Sequence, residues 1–255
     1  MPFTFGHRRG EYLDMSLQSE EAVPPLEAAE VQSRERFDLI YRSLCAMLYN
    51  YAPMSGHPGG SISCGRIVAC LLSDTLDYDV ANPAREDADV VCFAAGHKAL
   101  GMYALWALRN EVLRIGRPDL LPPDVGDQLR LEDLLGFRKN PITSTPLFKK
   151  HHVKPLDGHP TPATPFVRFA MGASGVGIGS SIGFAISALD HFGSDAPFIH
   201  IIEGEGGLTP GRSAEALAAA GSSSLGNVDG SPMRDMTRPM ADGDTVELLQ
   251  LALGG

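Results

Sequence analysis

Apolar positions recur every three or four residues along Val31 to Tyr51. Phe37, Ile40, Tyr41, Leu44 and Leu48 share one side, which predicts an amphipathic helix ending before Pro53. Ser61 is placed to cap a second helix running to about Leu72. The pattern then changes period. Asp89 to Ala94 and Phe198 to Ile202 are dominated by continuous apolar residues, as in strands buried on both faces of a parallel sheet. Further helices are expected from Lys98 to about Arg114, with Leu100, Tyr103, Ala104, Ala107 and Leu108 inward, from Ile178 to His191, and from Ser213 to about Ser222. Between Gly116 and Pro165 prolines replace periodicity, except for a short amphipathic helix from Leu129 to Phe137. Val23 to Leu26 and Phe166 to Met171 offer two further short strands. Residues 1–30 read as an N-terminal arm and 31–255 as a single domain. Strand alternating with helix gives an α/β class: an open, mainly parallel sheet flanked by helices, with fewer strands than such sheets ordinarily carry.

Composition narrows the partners. Twenty-one basic residues against 31 acidic ones leave a net charge of −10. No basic cluster exceeds Arg8-Arg9 or Lys149-Lys150, which argues against nucleic acid as a partner. No apolar run reaches the ~20 residues of a membrane span, and His7, Arg8 and Arg9 precede no apolar core of a secretory signal. Cys45, Cys64, Cys70 and Cys92 lack C-x-x-C spacing and sit among apolar neighbours, which predicts four reduced, buried cysteines of a cytoplasmic protein.

The candidate chemistry lies where strand turns into helix. After Phe198–Ile202 comes Gly204-Glu205-Gly206-Gly207, then a helix. Glycines let backbone amides approach phosphate oxygens, and a carboxylate in the turn can hold a bridging divalent cation. The same turn occurs on surfaces that bind nothing, and this stretch alone does not separate the two. His97 stands at the carboxyl end of the first strand, the edge at which open α/β sheets bind ligands. His57 lies in a Gly/Ser loop, where it is either a ligand contact or a polar residue satisfied by backbone.

Ser55-Gly56-His57-Pro58-Gly59-Gly60-Ser61, Ala95-Gly96-His97, Gly158-His159-Pro160 and Gly172-Ala173-Ser174-Gly175-Val176-Gly177 come in an order and spacing similar to those of transketolases. Gly204-Glu205-Gly206 with Leu225-Gly226-Asn227 resembles the family's thiamine diphosphate signature. The resemblance covers roughly Arg36 to Asn227, with a fainter echo from Met240 to Leu253. It implies a thiamine diphosphate-binding fold and a thiamine diphosphate cofactor with Mg2+ (or Ca2+). It also implies transfer of a two-carbon ketol unit between sugar phosphates or related ketoses. His57, His97 and His159 would contact substrate. His97, Gly172, Ser174, Gly204, Glu205 and Gly206 would hold the diphosphate, with Glu205 on the metal.

The departures are specific. Glu205 stands where the family has aspartate, and Gly207 and Pro210 stand where it commonly has acidic residues. After Asn227 the family continues into an apolar strand ending in a second metal-binding asparagine. Here Val228-Asp-Gly-Ser-Pro follows instead, and Ala241 to Leu253 resembles a segment and helix found much further along the family chain. No pyrimidine-binding domain is recognisable. The expectation is therefore the N-terminal subunit of a split transketolase, oligomeric and active only with a C-terminal, pyrimidine-side subunit. The alternative is a shortened, non-catalytic relative acting as a scaffold.

Overall fold

Val90–Phe93 (β1) places four apolar residues in a row, all buried, and pairs in parallel with Ile199–Glu203 (β2). The register runs from Val90 opposite Ile199 to Phe93 opposite Ile202. Asp89 clamps the start of the pair: its carboxylate accepts from the Phe198 amide at 2.8 Å and the Asp77 amide at 2.9 Å. The computed structural model describes residues 26–52, 58–139 and 145–222, and four two-residue strands, β3 to β6, at Asn227–Val228, Ser231–Pro232, Val246–Glu247 and Ala252–Leu253. β6 pairs in parallel with β2, so the sheet order is β1-β2-β6, and β3 pairs antiparallel with β4 and β5. Where the resemblance implied a helix between Ala241 and Leu253, the described residues are these short strands.

Side chains alternate along a strand, so neighbours on β1 report opposite faces. The Cys92 thiol approaches the Gly177 carbonyl of α6 (Val176–Phe192), and Phe93 lies against Gly101 of α4 (Ala99–Gly116). Two groups of helices thus cover the sheet. On one face α6 packs on both strands and α8 (Gly211–Ser222) packs on α6. On the other face α4 lies among α1 (Ala28–Tyr51), α2 (Pro58–Ser63) and the 3-10 segment Leu131–Gly136. Every residue of α4 from Ala99 to Asn110 is buried, not only the five predicted, because helices and sheet surround it.

Several expectations need correction. Ser61 does not cap a helix: α2 begins at Pro58, whose fixed φ suits a first turn. Ser61 is instead buried, its hydroxyl donating to the Lys98 carbonyl at 3.2 Å. The expected single helix to Leu72 breaks at Cys64, resumes as α3 (Gly65–Cys70) and ends in a π-helical turn. The buried face of α1 is Asp38, Tyr41, Cys45 and Leu48, while Ile40 is exposed. Asp38 is drawn inward with Arg42 at 2.9 Å. Phe166 to Met171 forms no strand, and Phe166 has a φ of 67°. Most of Val23 to Leu26 lies outside the described residues.

The proline-rich stretch is anchored by one buried carboxylate. Asp133 accepts from the Arg130 amide (2.8 Å), the Lys154 amide (3.0 Å) and the Arg130 guanidinium (3.0 Å), with the Lys154 ammonium 3.4 Å away. Arg130 also donates to the carbonyls of His151 and His152, at the end of α5 (Pro146–His151). This knot fixes the origin of the segment that carries His159 to the sheet edge. No described helix is long and apolar enough to cross a membrane.

Candidate functional site

Because β1 and β2 are parallel, both release their chains at the same edge, and the loop from Gly172 to Gly177 is drawn in between. Ala95 pairs with Gly172, and the Gly96 amide donates to the Gly172 carbonyl at 2.5 Å. The approach requires glycine. A Cβ on Gly96 would collide with the Gly172 Cα and lie 2.6 Å from its carbonyl oxygen; one on Gly172 would lie 2.8 Å from the His159 Cβ. His159 is exposed, yet its ring lies against both glycines. One loop further, Gly175 adopts φ 78° to start α6, where a side chain would meet the Ser213 hydroxyl at 2.5 Å.

The turn after β2 closes the other side. Gly204 is buried, and the glycine-rich turn expected after it is a single short helical turn, α7 (Glu205–Leu208). Ser213 donates to the Gly207 carbonyl at 2.6 Å, and Arg212 donates to the Ser174 carbonyl at 2.9 and 3.2 Å. The beginning of α8 therefore ties the Gly204–Gly207 turn to the Gly172–Gly177 loop. Gly96, His159, Gly172, Ser174, Gly204 and Gly206 share one sheet edge. His97 lies in the 3-10 turn Gly96–Lys98, but its side chain, like that of Glu205, is outside the described residues, as is the whole of His57.

Two charged residues that sequence reasoning passed over lie beneath these loops. Lys98 is 1% exposed and Glu203 is fully buried. Glu203 Oε1 accepts from the Gly204 amide at 2.8 Å, the Gly175 amide also faces the carboxylate, and Oε2 has no hydrogen-bond partner. Burial pushes the Glu203 carboxyl above its ordinary range, against the opposing pull of the Gly204 amide, Lys98 and the Gly175 amide. Glu203 ends a strand that is apolar but for His200, and a buried charge at its end is out of pattern. That was the available signal.

The loops offer the backbone approach a metal-bridged diphosphate needs, but the donors are in use. The Gly96 amide serves Gly172, and the Gly204 amide serves Glu203, whose carboxylate the Gly175 amide also faces. Among the described residues no three of His, Cys, Asp or Glu gather to hold a metal ion. As arranged, these residues do not fit a diphosphate unless Glu203 moves.

No protein-family model matches the chain. It is 31% identical over 199 residues to mouse transketolase-like protein 2, covering 78% of this chain and 26% of that protein. Mouse transketolase is 30% identical over 174 residues, 68% of this chain and 23% of its own length. The crystal structure of transketolase from Campylobacter jejuni superposes with a TM-score of 0.58 at 29% identity, covering 76% of this chain and 27% of that one. The chain spans about a quarter of each of these relatives. Related to them in sequence over most of its own length, and built on the same fold with an open parallel sheet, the chain is a transketolase homologue.

Proposed function

We propose that the chain is the diphosphate-side component of a transketolase-type enzyme. It would contribute to transfer of a two-carbon ketol unit between sugars only when a second polypeptide supplies the pyrimidine side. The observation that carries this reading is the meeting of three glycine-dependent turns at the carboxyl edge of β1 and β2, with His159 against two of them. Such an edge is where open α/β sheets place ligands. In this reading His57, His97 and His159 face the donor sugar phosphate, and Gly172, Ser174, Gly204 and Gly206 approach the thiamine diphosphate. Glu205 binds magnesium or calcium. The four cysteines are unpaired, which suits a cytoplasmic protein.

Calorimetric titration with thiamine diphosphate and magnesium, in the presence of a pyrimidine-side subunit, tests the assignment of Glu205. Glu205→Gln should weaken magnesium-dependent binding by removing an anionic ligand at nearly constant volume. Glu205→Asp should maintain or tighten it. Equal affinity in all three proteins would remove Glu205 from the metal site. A second reading, a non-catalytic scaffold, is favoured by one observation: the buried Glu203 carboxylate already takes the Gly204 amide of the candidate site. No cofactor binding in any of the three proteins, with the partner verified in the complex, would select the scaffold.

A further inference from the structure

Glu203 is placed as a ligand would be. Its carboxylate lies between the turn after β2 and the loop before α6, accepts from the Gly204 amide, faces the Gly175 amide, and feels the buried ammonium of Lys98. Backbone amides of glycine turns beside a cation are the groups that receive phosphate oxygens. The space it fills is available because residue 207 is glycine: a Cβ there would collide with the Glu203 carboxyl carbon and both of its oxygens. The Lys98 side chain packs on Gly60, where an added Cβ would lie 2.7 Å from its Cε. Charged side chains are rarely sealed away with an oxygen unpaired, and the Glu203 Oε2 is such an oxygen.

We propose that Glu203 is an intramolecular anion occupying, in the free chain, the seat that a diphosphate would otherwise take. Gly207 gives it room, the Gly204 amide holds it, and the Gly175 amide and the Lys98 charge act on it. Loading of the site then requires Glu203 to leave, and a ligand of the diphosphate class competes with it for the same groups. This inference rests on the proposed function only in taking a diphosphate as the competing anion.

The test is equilibrium binding of inorganic pyrophosphate, with and without magnesium, to the full 255-residue chain and its Glu203→Ala and Glu203→Gln variants. Circular dichroism and thermal melting establish that each is folded. Glu203→Ala removes both charge and bulk and should bind pyrophosphate at least ~10-fold more tightly than the unmodified chain. Glu203→Gln, which keeps the volume, should gain less and serves as the folded comparison if the alanine variant is unstable. Adding Lys98→Met to whichever Glu203 variant is folded should abolish the gain. Equal affinity in the unmodified chain and the Glu203 variants overturns the proposal, and so does an absence of binding in all of them. Pyrophosphate binding is read without a partner subunit and without turnover, so its failure is separable from a failure of ketol transfer.

Discussion

Gly96→Ala is the substitution that most directly probes how the site is assembled. The new methyl group would lie 2.6 Å from the Gly172 carbonyl oxygen and closer still to the Gly172 Cα and the His159 ring, against the 3.4 Å at which ordinary contact begins. The loops must therefore part by about 1 Å, since two of the obstructing atoms are backbone and cannot rotate away. Parting breaks the 2.5 Å hydrogen bond from the Gly96 amide to the Gly172 carbonyl. That loss costs about 1 kcal/mol, and forcing a methyl into a packed junction adds about 1–3 kcal/mol. The expected sum is about 2–4 kcal/mol, which for a chain of this size lowers the melting temperature by roughly 4–16 °C. Gly179→Ala is the control. It lies within α6 with nothing near the new Cβ, so it should be neutral or stabilise by up to about 1 kcal/mol. Urea and thermal unfolding followed by circular dichroism compare the two. A Gly96→Ala protein within about 0.5 kcal/mol of the unmodified chain would show that the turns do not meet as described.

Other consequences are equally open to measurement. Asp133 is fully buried among Arg130, Lys154 and two amides, so Asp133→Ala should destabilise by about 3–5 kcal/mol in urea unfolding. A loss below about 1 kcal/mol would show that this carboxylate does not anchor the loop. Burial pushes the Cys45 and Cys92 thiols up to about 12, with Cys64 raised in the same way, while Cys70, expected to be buried with them, is exposed. At pH 8 only about one in ten thousand molecules carries a thiolate at Cys45 or Cys92, so native labelling should reach Cys70 alone and denaturant should release all four. Rapid labelling of a second cysteine in the folded protein would contradict the burial. On the outer side of α1, Leu39, Ile40 and Met47 are 66%, 50% and 64% exposed, and the chain is expected to self-associate at micromolar concentration. A monodisperse monomer in light scattering, unchanged by Leu39→Glu, would refute this.

How much could be read from sequence depended on whether local pattern or long-range packing decided the outcome. β1, β2 and the helices after them were legible because continuous apolar runs and helical periodicity are local properties. The glycines at 96, 172, 175 and 177 were legible as places of close approach, but not what approaches them. His159 against Gly96 and Gly172 follows from the proline-rich excursion returning to the sheet edge, and nothing local encodes that return. Ser61 has the chemistry of a cap, yet packing of α2 against α4 and the Lys98 carbonyl claimed its hydroxyl. Asp38 and Glu203 were missed for a shared reason. Each is a buried carboxylate, Asp38 paired with Arg42 and Glu203 bonded to the Gly204 amide, whose partners helical or strand period does not reveal. Gly207 read as a lost acidic residue, whereas in the fold it is the space that Glu203 fills.

The central claim, a component completed by a second polypeptide, is tested most directly by ketol transfer. Transfer from a ketose phosphate donor to an aldose phosphate acceptor is measured with saturating thiamine diphosphate and magnesium, using the purified chain, a purified pyrimidine-side transketolase subunit, and an equimolar mixture of the two. Mass spectrometry establishes that each preparation contains a single polypeptide. The account predicts no turnover from either alone and turnover from the mixture that rises with the concentration of the limiting component. Turnover by the chain alone, or none from a mixture shown by light scattering to form the complex, would contradict it.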